Sequence, residues 1–245
     1  MNKVTGTVGG VTTPHRLVLW DIDQTLVDLR GLGAAWYTAA LAEVAGVELR
    51  RLPSFGGRTE RAISTDILTS HGVEATEENV RALWLALIAV SENQAATLSS
   101  NGRALPGAKD ALNDFATHGG VVQTLVTGNL PEISVHKLTA FDLHQHVDFE
   151  IGGYGSLSAH RPDLVPAAVG RASEKHGTEF APTSVVVIGD TPDDVRAALD
   201  NGAVAVAVAT GQFSAEELAD AGAHTVLGDL SDLAAVRAAV LGDAN

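Results

Sequence analysis

The sequence predicts an α/β fold: a doubly wound parallel sheet forms the core, and an α-helical cap is inserted into it. Nearly continuous apolar runs alternate with helical patterns, which is typical of parallel strands buried on both faces. From Asp23 to Val121, a separation of 98 positions breaks this rhythm, and it is far longer than an ordinary crossover. Polar clusters follow several apolar runs, where open parallel sheets bind their ligands.

The strand candidates are short β-rich segments. We expect strands at residues 16–21, 121–127, 148–153, 184–190, 203–210 and 225–230. Helical patterns fill the intervals between them. Pro131 and Pro162 lie near helix starts, and Gly177 follows a helix end, which are the usual end signals. The strand–helix–strand repetition indicates a Rossmann-like core with helices on both faces of the sheet.

The long interval contains helical patterns and no good strand. These patterns cover residues 31–46, 59–72 and 76–100. Gly31 and Gly33 bound this region on one side, and the segment SNGRALPG bounds it on the other. We therefore expect a helical cap over residues 30–100, hinged at both ends. The Rossmann-like catalytic core would comprise residues 16–29 and 101–245, and the Gly/Thr-rich residues 1–15 would form a flexible tail.

Composition excludes several classes of function. The chain has 245 residues and a net charge of −14, with no Lys/Arg cluster, so we expect no nucleic-acid partner. It has no cysteine, which excludes disulfides, thiolate catalysis and cysteine-based zinc sites. Neither a signal-peptide pattern nor an apolar span of membrane length is present. We therefore expect a cytoplasmic protein without a membrane-spanning segment.

Four polar clusters lie at or near predicted strand ends: DIDQT (21–25), TGN (127–129), HRPD (160–163) and GDTPDD (189–194). Each alone has an ordinary structural explanation, because Asp is common in turns and at helix starts. In this order, around a cap-sized insertion, they resemble the motifs of the haloacid dehalogenase superfamily. The similarity is to phosphohydrolases with an inserted helical (C1-type) cap, such as phosphoglycolate phosphatases. It covers nearly the whole chain after residue 15.

The resemblance implies a Mg²⁺-dependent phosphatase that hydrolyses a small phosphomonoester, with phosphoglycolate-like compounds as candidate substrates. Asp21 would attack phosphorus and form an aspartyl-phosphate. Asp23, on the same side of the strand, would protonate the leaving alcohol and later activate water. Arg161 would be the fixed positive charge on the phosphate and the nucleophile.

The resemblance also implies a metal and phosphate site. The Mg²⁺ ligands would be Asp21, the backbone carbonyl of Asp23, and Asp190. Asp194 would hold a metal-bound water or orient the site, and Asp193 is the less favoured of that pair. The phosphate-binding residues would be Thr127 and the amide of Gly128, with Asn129 supporting the pocket.

Two positions depart from the superfamily pattern. Gln24 stands where glycine is usual, which adds a side chain near the nucleophile and removes conformational freedom. Arg161 stands where lysine is usual, and its planar fork is not a neutral replacement.

The resemblance leaves some alternatives open. Asp23 argues against the dehalogenating branch, which lacks the second acidic residue. The phosphonate-cleaving branch needs a cap lysine, and the chain's lysines, at positions 3, 109, 137 and 175, lie outside the predicted cap. A phosphomutase of the same superfamily remains possible. So does a non-catalytic metal- or partner-binding relative, for which Gln24 is the only hint. The sequence does not predict the oligomeric state.

The cap sequence holds one candidate substrate contact. Arg58, in the segment FGGRTERAI (55–63), either reaches an anionic group of the substrate or is a surface charge before a helix capped by Thr59. Trp36 and Trp84 are expected in the cap core. The spacing of His144 and His146 could suit a metal, although a loop position is the favoured interpretation.

Overall fold

The computed structural model describes residues 15–29 and 31–242, so the predicted tail lies outside the described residues except for His15. Within these ranges we number the strands in chain order as β1 (Arg16–Trp20), β2 (Val27–Asp28), β3 (Arg103–Ala104), β4 (Val121–Thr127), β5 (Gly153–Tyr154), β6 (Val185–Gly189), β7 (Val204–Val208) and β8 (Thr225–Leu227). Six of them form one parallel sheet in the order β5-β4-β1-β6-β7-β8.

The middle of this sheet is strand β1. Leu19 lies opposite Thr124 of β4 on one side and opposite Val187 of β6 on the other. Residues 17–20 of β1 are fully buried, which explains why their sequence is a continuous apolar run. The chain order reverses across β1, because β4 and β5 lie on one side and β6 to β8 on the other. The predicted doubly wound α/β fold is confirmed, and ligands of such sheets bind at this reversal.

Helices cover both faces of the sheet. They are α1 (Leu32–Ala45), α2 (Glu60–Ser70), α3 (Glu77–Asn101), α4 (Ala108–Ala116), α5 (Pro131–Thr139), α6 (Leu164–His176), α7 (Pro192–Asp200), α8 (Ala215–Asp220) and α9 (Leu233–Leu241). The apolar residues of α4, α5 and α9 join Val18 and Trp20 in one core layer, whereas those of α6, α7 and α8 join Leu17 and Leu19 in the other. None of the helices in the described ranges is both long and apolar enough to cross a membrane.

Local sequence signals fix several helix ends as predicted. Pro131 occupies the first turn of α5. Gly177 ends α6 in the left-handed conformation, with φ at 61°. Thr59 begins α2 as its N-cap and accepts a hydrogen bond from the backbone N–H of Ala62 at 3.3 Å. These caps satisfy backbone groups that have no partner inside the helix.

Three details of the predicted elements are wrong. The strand predicted at 148–153 is a 3₁₀ helix, Phe149–Ile151, followed by the two-residue strand β5. Asp148 begins that turn, because its side chain accepts from the N–H of Glu150 at 3.1 Å and so competes with strand pairing. The strand predicted at 225–230 ends at Leu227.

The third error concerns the long interval, which contains strands β2 and β3. They pair antiparallel over two residues each, with Val27 opposite Ala104 and Asp28 opposite Arg103. A two-residue strand leaves no periodic pattern in a sequence. This pairing brings together the two ends of the segment that carries α1, α2 and α3. These helices occupy the region predicted to be helical, and the division into a core and a cap over residues 30–100 stays a prediction.

Candidate active site

The candidate site lies at the carboxyl ends of three adjacent strands. Asp21 follows β1 directly, Asp190 follows β6, and Thr127 is the last residue of β4. The backbone N–H of Asp21 donates to the carbonyl of Ile188 at 2.8 Å and extends the pairing of β1 with β6. Side chains that the sequence separates by more than 150 positions therefore meet at one edge of the sheet.

Three carboxylates form a compact acidic cluster at this edge. Asp21, Asp190 and Asp194 each offer a carboxylate oxygen within 4.8 Å of the others, and all three residues are buried. Helix α7 fixes the third one through a capping box, in which Asp194 Oδ2 accepts from the backbone N–H of Thr191 at 3.1 Å and from its hydroxyl at 2.7 Å. A Cβ on Gly189 would lie 2.2 Å from Asp194 Cγ, so the close approach requires glycine there.

Arg161 lies against two of these carboxylates. Its Nη2 donates to Asp21 Oδ1 at 2.9 Å and to Asp194 Oδ1 at 2.5 Å, and the side chain is buried. Burial disfavours the charged guanidinium, but the carboxylates of Asp194 and Asp21 outweigh it and raise the pKa of Arg161. The guanidinium therefore stays charged beside Asp21, where the motifs predict a fixed cation.

The cluster carries more negative charge than Arg161 neutralises. Burial raises the pKa of Asp21 to about 7; the charge of Arg161 opposes this rise, and Asp194 and Asp23 add to it. Burial and the neighbouring charges of Asp194 and Asp21 raise the pKa of Asp190 to about 9. Closely spaced carboxylates repel one another, and a divalent cation between them would relieve that repulsion.

The donor atoms fit Mg²⁺, because this ion prefers carboxylate oxygens and water as ligands. Asp21 and Asp190 are the best-placed donors, since both oxygens of Asp194 already accept hydrogen bonds from Arg161 and Thr191. Glycine at position 211 leaves room beside the site, because a Cβ there would lie 1.8 Å from Asp190 Oδ2. The structure thus brings Asp21, Asp190 and Asp194 together, and their roles as ligands stay a prediction.

Asp23 is bound by a lysine that none of the sequence motifs contains. Lys137 Nζ lies 2.7 Å and 2.6 Å from the two carboxylate oxygens of Asp23 and 2.7 Å from Asn129 Oδ1. Asn129 Nδ2 also donates to Asp23 Oδ2 at 2.8 Å. Asp23 is therefore not part of the carboxylate cluster, and its predicted metal contact would come through the backbone carbonyl alone.

The pattern of α5 contains a signal for Lys137. Ile133, Ser134, Lys137 and Leu138 are the buried residues of this helix, and Lys137 stands four positions after Ile133 on the same face. A lysine on the apolar face of a helix that begins just after a strand end is almost never buried without a partner. That position predicts a buried acidic group nearby, although the sequence does not say which one.

The TGN motif adopts a compact turn beside Asp23. Thr127 is fully buried, and its Oγ1 accepts from the backbone N–H of Asn129 at 3.3 Å and from Asn129 Nδ2 at 2.8 Å. Gly128 approaches the loop before α2 closely, because a Cβ there would lie 2.0 Å from the carbonyl oxygen of Arg58. The N–H of Glu60 also donates to the carbonyl of Gly128 at 2.8 Å. The predicted phosphate-binding turn is thus also the point where α2 contacts the sheet edge.

A cavity of about 570 Å³ lies between the acidic cluster and helices α1 to α3. Arg58 lines it, as predicted for a substrate contact, but its Nη2 donates to Asp66 Oδ2 at 2.6 Å. Glu60 also lines the cavity, and its Oε1 accepts hydrogen bonds from Tyr37 Oη and from Ser64 Oγ. Burial raises the pKa of Glu60, although both hydrogen bonds oppose that rise.

Gln24 has an unusual backbone conformation beside the site. Its φ is 61°, in the left-handed region that suits glycine, which gives a physical reason for glycine at this position of the superfamily. Gln24 Nε2 donates to Asp28 Oδ1 at 2.9 Å, and Thr210 Oγ1 donates to the carbonyl of Gln24. These contacts hold the loop after Asp23 against β2 and the loop after β7.

The remaining candidates lie in structural positions. His144 and His146 form the ends of a short 3₁₀ helix, and neither belongs to a group of metal-type ligands within the described ranges. Trp36 is buried and Trp84 is half-buried in the α1–α3 region. Trp36 also lines the cavity.

Fold and site together define a class of enzyme: a Rossmann-like core with an acidic centre at the strand ends, covered by inserted helices. A profile of the haloacid dehalogenase-like hydrolase family matches residues 18–199, so the chain belongs to this family. The predicted superfamily and the predicted class, a hydrolase, are confirmed. The phosphatase type agrees with the name of a curated relative.

That relative is phosphoglycolate phosphatase 1 of Pseudomonas aeruginosa. It is 29% identical over 225 residues, which cover 89% of this chain and 78% of the relative. A solved structure of a proposed β-phosphoglucomutase from Bacteroides vulgatus has a TM-score of 0.64 at 20% identity, covering 94% of this chain and 91% of that one. A predicted phosphoglycolate phosphatase from Haemophilus somnus 129pt has a TM-score of 0.59 at 18% identity, covering 93% and 99%. Both structures share the fold of this chain.

Proposed function

We propose that this hydrolase is a Mg²⁺-dependent phosphatase that acts on a small phosphomonoester through an aspartyl-phosphate on Asp21. The observation that carries the proposal is the position of Asp21, which is buried at the end of the central strand, 2.9 Å from Arg161 and within 4.8 Å of Asp190 and Asp194. This arrangement offers a nucleophile, a fixed cation and a metal-type donor set at one point. The phosphoglycolate phosphatase of P. aeruginosa supports the same reaction class.

In the first step, a carboxylate oxygen of Asp21 forms a bond to phosphorus while the bond from phosphorus to the leaving oxygen breaks. Arg161 holds Asp21 in place and offers positive charge to the phosphoryl oxygens. Asp23 gives a proton to the leaving oxygen, which departs as an alcohol. The backbone of Gly128 and the hydroxyl of Thr127 position the phosphoryl group.

In the second step, Asp23 takes a proton from a water molecule whose oxygen attacks the phosphorus of the aspartyl-phosphate. The bond from phosphorus to Asp21 breaks, and inorganic phosphate leaves. Mg²⁺ held by Asp21, Asp190 and the carbonyl of Asp23 would supply charge neutralisation for the phosphate and the carboxylates. Asp194 orients Arg161 through the contact at 2.5 Å.

The proposal is tested by phosphate release from a panel of phosphomonoesters with and without Mg²⁺. Asp21→Asn should abolish turnover, whereas Asp23→Asn should still form a phosphoenzyme from an aryl phosphate, because a good leaving group needs little proton help. Mass spectrometry of the Asp23→Asn protein should then detect one added phosphoryl group. Asp110→Asn, on the exposed side of α4, is the matched control and should keep full activity.

The same panel addresses the two alternatives predicted from the sequence. A phosphomutase would convert a sugar phosphate to its isomer with little release of phosphate. A non-catalytic relative would bind Mg²⁺ and turn over none of the compounds. Normal turnover by Asp21→Asn would contradict the covalent mechanism itself.

A further inference from the structure

The cavity beneath the inserted helices is larger than a very small substrate needs. Its volume is about 570 Å³, within the range of sites for drug-sized ligands. Phosphoglycolate has nine non-hydrogen atoms, and at about 30 Å³ for each, the share of a water molecule in the liquid, it would fill less than half of this space. The lining of the same cavity includes Leu32, Trp36, Phe55 and Leu87, and the leaving group would occupy the remaining volume beside them.

The wall of this remaining space is mainly apolar. Its apolar members come from the residue after β2, from α1 and the loop that follows it, and from α2 and α3: Leu29, Leu32, Trp36, Phe55, Ile63 and Leu87. The indole N–H of Trp36 is already used, because it donates to Gln94 Oε1 at 2.9 Å. The rings of Phe55 and Tyr37 stack, with centroids 5.6 Å apart and planes 10° apart. The wall therefore offers hydrocarbon and aromatic surface to a ligand.

The charges on this wall do not favour a second anionic group. Within the described ranges, each cation that lines the cavity is paired with a carboxylate: Arg58 with Asp66, Lys137 with Asp23, and Arg161 with Asp21. Glu60 adds a buried carboxyl group to the same wall, and no described side chain donates to its Oε2. An anionic leaving group would lose its hydration shell in this cavity and would then face the carboxyl group of Glu60. Removing a charged group from water without a compensating partner costs binding free energy.

From these observations, and resting on the phosphatase function proposed above, we propose that the leaving group of the substrate is bulky, mainly apolar and uncharged. The phosphoryl group would lie at Asp21 and Arg161, and an alkyl or aromatic body would fill the space between Phe55, Trp36 and Leu87. The preferred substrate is then a phosphomonoester of a hydrophobic alcohol or phenol. Phosphoglycolate, which is short and carries a carboxylate, would be a poor substrate.

A series of n-alkyl phosphates tests this inference, because the leaving oxygens have nearly the same basicity and only the buried length changes. We expect kcat/KM with Mg²⁺ to rise about fourfold for each methylene group between ethyl and hexyl phosphate. The kcat/KM of hexyl phosphate should also exceed that of phosphoglycolate. The rise should stop once the chain fills the cavity.

Variants of the cavity wall test which residues cause the dependence of kcat/KM on chain length. Phe55→Ala should flatten the dependence on chain length and lower kcat/KM for hexyl phosphate more than for ethyl phosphate. Leu52→Ala is a second wall variant that is not expected to impair folding, because Leu52 is 42% exposed; it should reduce the gain for the longest chains. Leu85→Ala is the control, since Leu85 lies on the same helix as Leu87 but is 68% exposed, and it should keep the full dependence.

Four outcomes would decide against the inference. A flat alkyl series, or a preference for phosphoglycolate over hexyl phosphate, would overturn the proposed leaving group while leaving the phosphatase function intact. Equal losses for ethyl and hexyl phosphate in both wall variants would assign these residues to the fold and reject the wall as a specificity element. Absence of phosphate release from every compound would overturn the phosphatase function, and the inference with it.

Discussion

Lys137 Nζ lies 2.6 Å and 2.7 Å from the two carboxylate oxygens of Asp23. The pair joins α5 to the loop after β1, and Asn129 completes it by contacting both partners. Asp23 is the residue that we propose to move the proton, and the contacts of Lys137 with both of its carboxylate oxygens hold it in position. We infer that Lys137 is a positioning residue.

Replacing Lys137 by methionine should slow the turnover of alkyl phosphates by about tenfold. A hydrogen bond to a charged group contributes about 1.5–3 kcal/mol, and the lower end applies because the Asp23 side chain is 43% exposed. Aryl phosphates should lose much less, since they need little proton help. The measurement is kcat for phosphomonoesters of graded leaving-group pKa.

The control for this prediction is Lys109→Met, which removes a lysine that lies 3.9 Å from Asp142 with half of its side chain exposed. That variant should leave the dependence on the leaving group unchanged. If Lys137→Met slows alkyl and aryl phosphates equally, Lys137 supports the fold and does not position Asp23.

The acidic cluster predicts how stability depends on pH and Mg²⁺. Burial and neighbouring charges raise the pKa of Asp190 to about 9, whereas an unfolded Asp titrates near 3.9. Between these values the folded chain holds a proton that the unfolded chain has lost, so stability falls as pH rises. Without metal, the Tm of the wild type should therefore be lower at pH 8 than at pH 6. This difference should be smaller in Asp190→Asn, which lacks the titrating carboxyl group.

Mg²⁺ should reverse this trend, because it binds the ionised cluster of the folded state. At 100 times its Kd the ion stabilises the fold by about 2.7 kcal/mol, which corresponds to a rise in Tm of about 5–10 °C for a chain of this size. The rise should be larger at pH 8 than at pH 6 and nearly absent in Asp190→Asn. An equal response of the wild type and Asp190→Asn to Mg²⁺ would remove Asp190 from the metal site.

Gln24→Gly should raise the turnover of aryl phosphates several-fold with little change in stability. The left-handed conformation costs a residue other than glycine about 1–2 kcal/mol, so glycine at this position would stabilise the fold. The greater entropy of glycine in the unfolded chain offsets about 0.5–1 kcal/mol of this stabilisation. The control is Asp142→Gly, which has φ at 57° and lies outside the cavity lining. It should show a similar small change in Tm and no change in kcat. A loss of activity in Gln24→Gly alone would assign the bond from Gln24 to Asp28 a role in the site.

The predictable parts of the structure were those with a repeating pattern or a local signal. The buried run at residues 17–20 and the meeting of Asp21 with Asp190 follow from continuous apolar strands whose ends share one sheet edge. Asp194, in the first turn of α7, was selected only by the resemblance to the superfamily. The pairing of β2 with β3 spans too few residues to give a pattern. The 3₁₀ helix at 149–151 arises from a side-chain contact of Asp148 inside an apolar segment that otherwise suits a strand.

The contacts of the site with α5 and with the loop before α2 were not predictable in the same way. Lys137 pairs with Asp23 across 114 positions, and only the three-dimensional arrangement selects that carboxylate over the others. Arg58 shows the same limit, because a cation on a glycine-rich loop predicts an anionic partner without saying whether it is a substrate or Asp66.

Arg58 is the subject of the last prediction. One of the two interpretations of its sequence position is that it binds a second anionic group of the substrate, but its ion pair with Asp66 at 2.6 Å already neutralises its charge. We therefore expect Arg58→Ala to change kcat/KM for phosphoglycolate and for ethyl phosphate alike, by no more than about threefold, as for an exposed ion pair. Asp66→Asn should free the guanidinium of Arg58 and raise kcat/KM for phosphoglycolate relative to kcat/KM for ethyl phosphate. Arg81→Ala, which removes an exposed cation paired with Glu77, is the control and should affect neither substrate. A loss of about tenfold or more in Arg58→Ala that is confined to phosphoglycolate would instead make Arg58 the anion-binding residue, and would also contradict an uncharged leaving group.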